Sequence, residues 1–354
     1  MEYDADYIVI GAGSAGCVVT DRLSERGHSV ILLEAGPNDV HPMVHIPAGV
    51  LHLLSNPRVN WNYSSEPEES SGNRRIHWPR GRVLGGSSSI NGMLYVRGNP
   101  ADYDGWAQMG CKGWSFDNVL PYFRKSENYK NGGEPAHRGT EGPLEVEDYR
   151  TILDLPHAFV EAGQQAGHTK SSDLNGSVPE GVGYSQMTRK GRFRGSTART
   201  FLSRAKKRRS VRIETEAIVT GLIFEDKKCI GVKFIQKGKE HEIFAGKEIV
   251  LSGGAVNSPH ILQVSGIGPQ HHLQSIGVKT VHDLPGVGQN LQDHYVSRIS
   301  HRVKNTVSIN QLSRGIRLLR EIGSWVFEGK GALTFGITSA MVFSRSREGL
   351  SSPD

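Results

Sequence analysis

The chain holds little cysteine: three residues in 354, Cys17, Cys111 and Cys229, far apart and odd in number. No CxxC pair occurs, so neither a disulfide framework nor a zinc site is expected, and no metal is assigned. Long apolar runs are missing as well. None approaches the ~18 residues of a membrane span, so no span is expected. The opening Met1-Glu2-Tyr3-Asp4 is acidic where a secretory leader needs positive charge, and no apolar stretch follows it. A soluble, cytoplasmic protein is the expectation. Also absent are an HExxH helix, a Gly-x-Ser-x-Gly elbow, a Gly-Lys-Ser/Thr phosphate loop and any repeat at solenoid periods. Net charge is +6, much of it within 189–212, which includes Lys206, Lys207, Arg208 and Arg209. That stretch lacks the aromatic interleaving that stacks bases, and it has no zinc-finger spacing. It reads as a solvated basic loop, and no nucleic-acid partner is expected.

Glycine is plentiful instead: 43 of 354 residues, against a usual ~7%. It falls in clusters, where it lets backbone approach a ligand. Tyr7-Ile8-Val9-Ile10 is a short apolar run of β-formers, read as a buried strand. It meets Gly11-Ala12-Gly13-Ser14-Ala15-Gly16, after which 17–23 continues with helical spacing and Gly27 fits a helix stop. Ser29-Val30-Ile31-Leu32-Leu33-Glu34 is a second apolar strand, ending in an acid. Strand, glycine turn, helix and strand make a right-handed βαβ unit with a parallel sheet.

Further on the pattern changes. From about 37 to 78 prolines break every periodicity, and loops of that length commonly wrap a ligand. Residues 103–129 look helical, and a Gly- and Pro-rich stretch at 131–143 marks a crossover. Between 211 and 244, Val211, Ile213, Ala217, Val219, Val232, Phe234 and Ile243 alternate with polar residues, as in a small antiparallel meander. Glu248-Ile249-Val250-Leu251-Ser252 then runs into Gly253-Gly254, with a helix expected from Asn257.

Gly11-x-Gly13-x-x-Gly16 carries a mechanism: a tight turn, backbone amides free to reach a pyrophosphate, and close helix–strand packing. It follows a strand and opens a helix, and Glu34 answers it 23 positions after Gly11, where a carboxylate accepts from a ribose diol. Glu34 disfavours a 2′-phosphate. The motif by itself leaves NAD and FAD open. The string Arg80-Gly81-Arg82-Val83-Leu84-Gly85-Gly86-Ser87-Ser88-Ser89-Ile90-Asn91-Gly92 is a second cradle for a flat polar ligand, with Asn91 adding a two-way amide. A NAD dehydrogenase has no need of it.

At these residues the chain resembles the glucose–methanol–choline (GMC) oxidoreductases. Residues 81–104 are similar to that family's first signature, and Gly254-Ala255-x-x-Ser258-Pro259 with Ser265-Gly266-Ile267-Gly268 to its second. Leu284-Pro285-Gly286-Val287-Gly288-x-Asn290-Leu291-x-Asp293-His294 also looks like the family, and the resemblance covers essentially the whole chain. It implies FAD, with Gly11, Gly13, Ser14 and Gly16 at the pyrophosphate, Glu34 at the adenosine ribose and Val219 at the adenine. Arg82, Gly86, Ser87, Asn91 and Gly92 would line the flavin, with Met93 close by. Some members carry a flavin-bonded histidine at the position of Ile90, so FAD is expected to be non-covalent here.

The resemblance further implies oxidation of an alcohol, its hydroxyl proton going to a histidine and its hydride to flavin N5. That histidine is expected beyond Asp354, and no catalytic residue is assigned among the fifteen histidines of the chain. The pattern looks most like the choline dehydrogenase-like branch, yet Ser339 stands where choline-specific members have a glutamate. An uncharged primary alcohol is therefore the expected substrate, with oxygen or a quinone as electron acceptor. The fold class expected is α/β: an FAD-binding, Rossmann-like, doubly wound domain built from discontinuous segments, plus an incomplete α+β substrate domain. The boundaries expected are 1–150 and 201–298 for the FAD domain, 151–200 as crossover and 299–354 for the start of the substrate domain. A NAD-dependent Rossmann dehydrogenase, explaining only the first cluster, and a non-catalytic flavin-binding fragment are the alternatives.

Overall fold

The computed structural model describes residues 2–294 and 296–354. It divides into two compact units, one of Met1–Val40, His52–Ile90 and Ser196–His301, the other of His41–Leu51, Asn91–Gly195 and Arg302–Asp354. These bounds differ from those expected: 91–150 lies with the second unit, and the cradle-bearing unit takes up the chain again at Ser196. Among the described residues no helix is long and apolar enough to cross a membrane.

The first unit is an α/β layer on a six-stranded sheet. Strand β1 (Ala5–Ile10) leads through the glycine turn into helix α1 (Ser14–Glu25), and β2 (Val30–Leu33) follows. Then come β3 (Val211–Glu214), β4 (Ala217–Glu225), β5 (Lys228–Gln236), β6 (Lys239–Leu251) and helix α2 (Gly254–Val264). The sheet order is β3-β2-β1-β6-β5-β4, parallel from β3 to β6 and antiparallel among β6, β5 and β4. Ile8, Ile10, Ile31 and Leu33 are buried in one core with Val232, Phe234 and Ile243 of the meander. Each such side chain stabilises the fold by about 1.5–3 kcal/mol, and this sets the register of strands distant in sequence.

Two details correct the alternation reading. Val211–Glu214 is not part of the antiparallel meander but the parallel edge of the sheet, paired with β2. The meander's last strand and the strand before Gly253 are one continuous thirteen-residue element, β6. Lys247 and Glu248 interrupt its apolar pattern; both are exposed, next to an irregularity in the pairing with β1. The helix after it begins at Gly254, earlier than expected.

The basic stretch is also more structured than a solvated loop. Arg189 and Arg194 are fully buried, in the second unit. In the first, Arg208 donates to the buried carboxylate of Asp21 at 2.7 Å and Arg204 pairs with Glu25 at 2.8 Å, tying the segment to α1. Only Lys206, Lys207 and Arg209 of its basic core remain exposed.

In the second unit, helices Pro100–Gln108 and Phe116–Ser126 precede strand Glu127–Tyr129, which pairs in parallel with Leu144–Asp148 across the 131–143 crossover. Leu144–Asp148 and Leu94–Tyr95 both pair with Gln186–Lys190, and Ala340–Phe343 pairs with Gly181–Tyr184. Glu127 is fully buried between Arg97 and Arg138, and Arg138 also pairs with Asp173 at 2.7 Å. A carboxylate taken that far from water is tolerable because its oxygens are fully hydrogen-bonded.

Candidate functional site

The parallel sheet places the two strand-to-glycine turns side by side. Strands β1 and β6 are neighbours running the same way, with β2 on the far side of β1 and the meander beyond β6. This is the switch point of an open α/β sheet, outside whose strand ends ligands bind. Ser252, at the end of β6, donates its amide to Ile10 and its hydroxyl to the carbonyls of Ile10 and Gly11, at 2.8, 2.8 and 3.0 Å.

The first turn is built without spare room. A Cβ on Gly16 would run into the carbonyl of Gly11, so α1 could not start where it does. Gly13 is different: a Cβ there would meet nothing of the protein, so its bare backbone faces open space. Helix α1 has no capping side chain at Gly13 and no acid in its first turn, and Ser14 is exposed. Its amide-rich end thus carries uncompensated partial positive charge.

The second cluster closes on the first through the backbone. The amide of Gly85 donates to Ala12 at 2.8 Å, and a Cβ on Gly86 would lie 2.7 Å from the Cα of Gly13. Gly86 also sits at φ +53, a conformation side chains resist. Ser87 is exposed, and its hydroxyl accepts from the amide of Gly81 at 3.1 Å. Ser88 meets Thr197 at 3.0 Å, fastening the cluster to the returning chain. Arg82 lies with its guanidinium 5.0 Å above the Trp61 ring, and its Nε is buried with no hydrogen-bond partner among the described residues.

Glu34 is 6% exposed. Its two carboxylate oxygens accept the amides of Ala12 and Gly36, each at 2.8 Å. Burial pushes its carboxyl up to about 7, against the opposing pull of those amides and of Arg82. Val219, in β4, is half-buried against the core, immediately before an irregularity in the β4–β5 register. Ile90 is buried.

The remaining expected residues belong to the second unit. Asn91 is exposed, and its side-chain oxygen accepts from the Met93 amide at 3.0 Å and from Arg194 at 2.9 Å. Gly92 packs under Ile337, and Met93 is buried at φ +62. Arg194 also reaches the carbonyl of Val44 at 2.9 Å. Burial lowers its guanidinium to about 10.

Sequence spacing had not singled out Ala12 or Gly36, offered Gly85 only within the string of the second cradle, and had not singled out Thr197. The first three act through backbone atoms, and Thr197 meets Ser88 from more than a hundred positions away. No residue-type signal marks such roles. Among the described residues no cluster of His, Cys, Asp and Glu could hold a metal ion.

These residues suit a dinucleotide: an unpartnered buried donor on Arg82, open space at Gly13 and a bare helix end all await an acceptor-rich ligand. The chain is 41% identical over its whole length to an oxygen-dependent choline dehydrogenase of Vibrio vulnificus, of which it spans 64%. It is 40% identical over 96% of its length to an alcohol dehydrogenase (acceptor) of Pseudomonas putida, of which it spans 62%. An FAD-dependent oxidoreductase structure from Chaetomium thermophilum superposes with a TM-score of 0.86 at 27% identity, over 96% of this chain and 62% of that one. FAD is the cofactor expected for this cradle. The family model of the GMC oxidoreductases matches residues 5–296, and the chain belongs to that family.

Proposed function

We propose that the protein is an FAD-dependent oxidoreductase acting on the CH–OH group of a primary alcohol. The observation that carries this is the backbone-to-backbone closure of the two glycine clusters, Gly85 on Ala12 and Gly86 on Gly13, at the sheet's switch point. A nicotinamide enzyme has no use for the second cluster.

Gly11, Gly13, Ser14 and Gly16 hold the pyrophosphate on the start of α1, Glu34 takes the adenosine ribose, and the backbone at Val219 meets the adenine. Arg82 supplies a donor and a positive charge on the flavin side. Gly86, Ser87, Asn91, Gly92 and Met93 line the flavin, and the Asn91 amide is oriented by Arg194, which grips its oxygen. Bound FAD supplies the two-electron acceptor for the carbinol hydride. The proton acceptor, a histidine by the family pattern, is assigned to no residue of this chain.

The substrate proposed is an uncharged primary alcohol. Ser339 is half-buried, and its carbonyl accepts from Ser185 at 3.0 Å. A serine offers no charge to pair with a quaternary ammonium. Oxygen or a quinone takes the electrons. A cytoplasmic location belongs to the same proposal, in keeping with three free cysteines.

The test is the visible spectrum of the full-length protein without oxygen, before and after adding 1-hexanol, benzyl alcohol or choline. An oxidised-flavin spectrum is expected, bleached with higher kcat/KM by the uncharged alcohols. A colourless protein that takes up no FAD overturns the proposal. Preference for choline overturns the substrate assignment alone.

A further inference from the structure

The carboxylate of Glu34 does more than end a strand. It sits between two backbone amides on opposite sides of it in the chain, Ala12 in the first glycine turn and Gly36 beyond β2. Ala12 in turn accepts from the amide of Gly85 at 2.8 Å and from the Cys17 thiol at 3.2 Å. The backbone of Glu34 is itself fixed, donating to Glu214 and accepting from Ala217, both at 2.9 Å. A connected series thus runs from the sheet edge through Glu34 and Ala12 to the second cluster. Each peptide group in it is polarised by the next.

We infer that Glu34 is the positioning residue of the cradle: its ionised carboxylate holds the two glycine clusters in their closed form, and protonation loosens them and releases the dinucleotide. The inference rests on the cofactor assignment proposed above and adds its regulation by pH. An ionised carboxylate accepts hydrogen bonds about twice as strongly as a neutral group. A neutral carboxyl carries a proton on one of the two oxygens that now face N–H donors.

The groups acting on Glu34 are few. Arg82, from the second cluster, favours its ionised form, and burial opposes ionisation. Cys17, from α1, feels Glu34, but burial pushes its thiol up to about 12, so it stays neutral at every working pH. With the Glu34 carboxyl at about 7, the carboxylate dominates above neutrality and the acid below it. FAD affinity therefore falls as pH falls through 7. One linked proton gives a Kd about tenfold weaker at pH 6 than at pH 8.

The experiment is titration of the flavin-free protein with FAD from pH 5.5 to 8.5, followed by flavin fluorescence, for the wild type and for Glu34→Gln. Gln keeps the shape and can still bond a ribose hydroxyl, but its NH2 faces an amide donor and it does not titrate. Expected are a tenfold slope in the wild type and, in the variant, a Kd at pH 8 at least tenfold weaker with a flat pH profile. A residue that merely filled space would leave the profile unchanged. A flat wild-type profile, or a variant keeping the wild-type slope, overturns the inference while the cofactor assignment stands. No FAD binding at any pH in the wild type overturns the cofactor assignment, and the inference with it.

Discussion

Single atoms decide much of this site. Ile90 is fully enclosed, and its side chain has no nucleophilic atom to bond a flavin carbon. Acid precipitation of the FAD-loaded protein is accordingly expected to leave all flavin in the supernatant; yellow colour remaining with the pellet after washing would contradict this. Glu34 shows what residue spacing conveys and what it omits. An acid at the end of the second strand was legible from its distance to Gly11, but its hold on Ala12 and Gly36 was not, because both partners are backbone amides. The burial that pushes its carboxyl up to about 7 also comes from the surrounding fold and not from neighbours in sequence.

At the scale of elements, the glycine turns separate two physical demands. Gly13 faces open space, whereas Gly86 presses on Gly13 and holds φ +53. Gly13→Ala is expected to leave the Tm within a degree or two of wild type while FAD affinity falls more than tenfold. Gly86→Ala should lose both, with stability down by about 2 kcal/mol from backbone strain and the forced separation of the clusters. Thermal melts with and without FAD check the pair; equal stability losses in the two variants would refute the distinction. The elements themselves were partly readable. The first βαβ unit announced itself because apolar β-formers, glycines and helical spacing follow one another within thirty residues. Val211–Glu214 misled because alternation reports a half-buried face and says nothing of which strand is its neighbour. Here the neighbour is β2, some 180 positions earlier, and the pairing is parallel.

At the scale of the molecule, a ligand that binds the folded cradle and not the unfolded chain stabilises it by mass action. FAD at a hundred times its Kd should add about 2.7 kcal/mol to the unit that carries the cradle, raising the Tm of that transition by several degrees. Calorimetry with and without FAD tests this, and absence of any shift would mean that the two clusters bind no dinucleotide in the native state. The division into units was the least readable feature. A first domain split into 1–150 and 201–298 was expected, but His41–Leu51 and Asn91–Gly195 group apart from the strands on either side of them. What the sequence determined by itself was local: where backbone must be bare glycine, where apolar runs must be buried, and which family's signatures the clusters spell. These follow from sterics and hydration acting on adjacent residues. Tertiary structure alone decided the parallel edge strand, the single long β6, the burial of Arg194 and the two amides on Glu34. Those depend on hydrogen-bond partners brought together from distant parts of the chain, and a carboxylate's surroundings are set only when the sheet has formed.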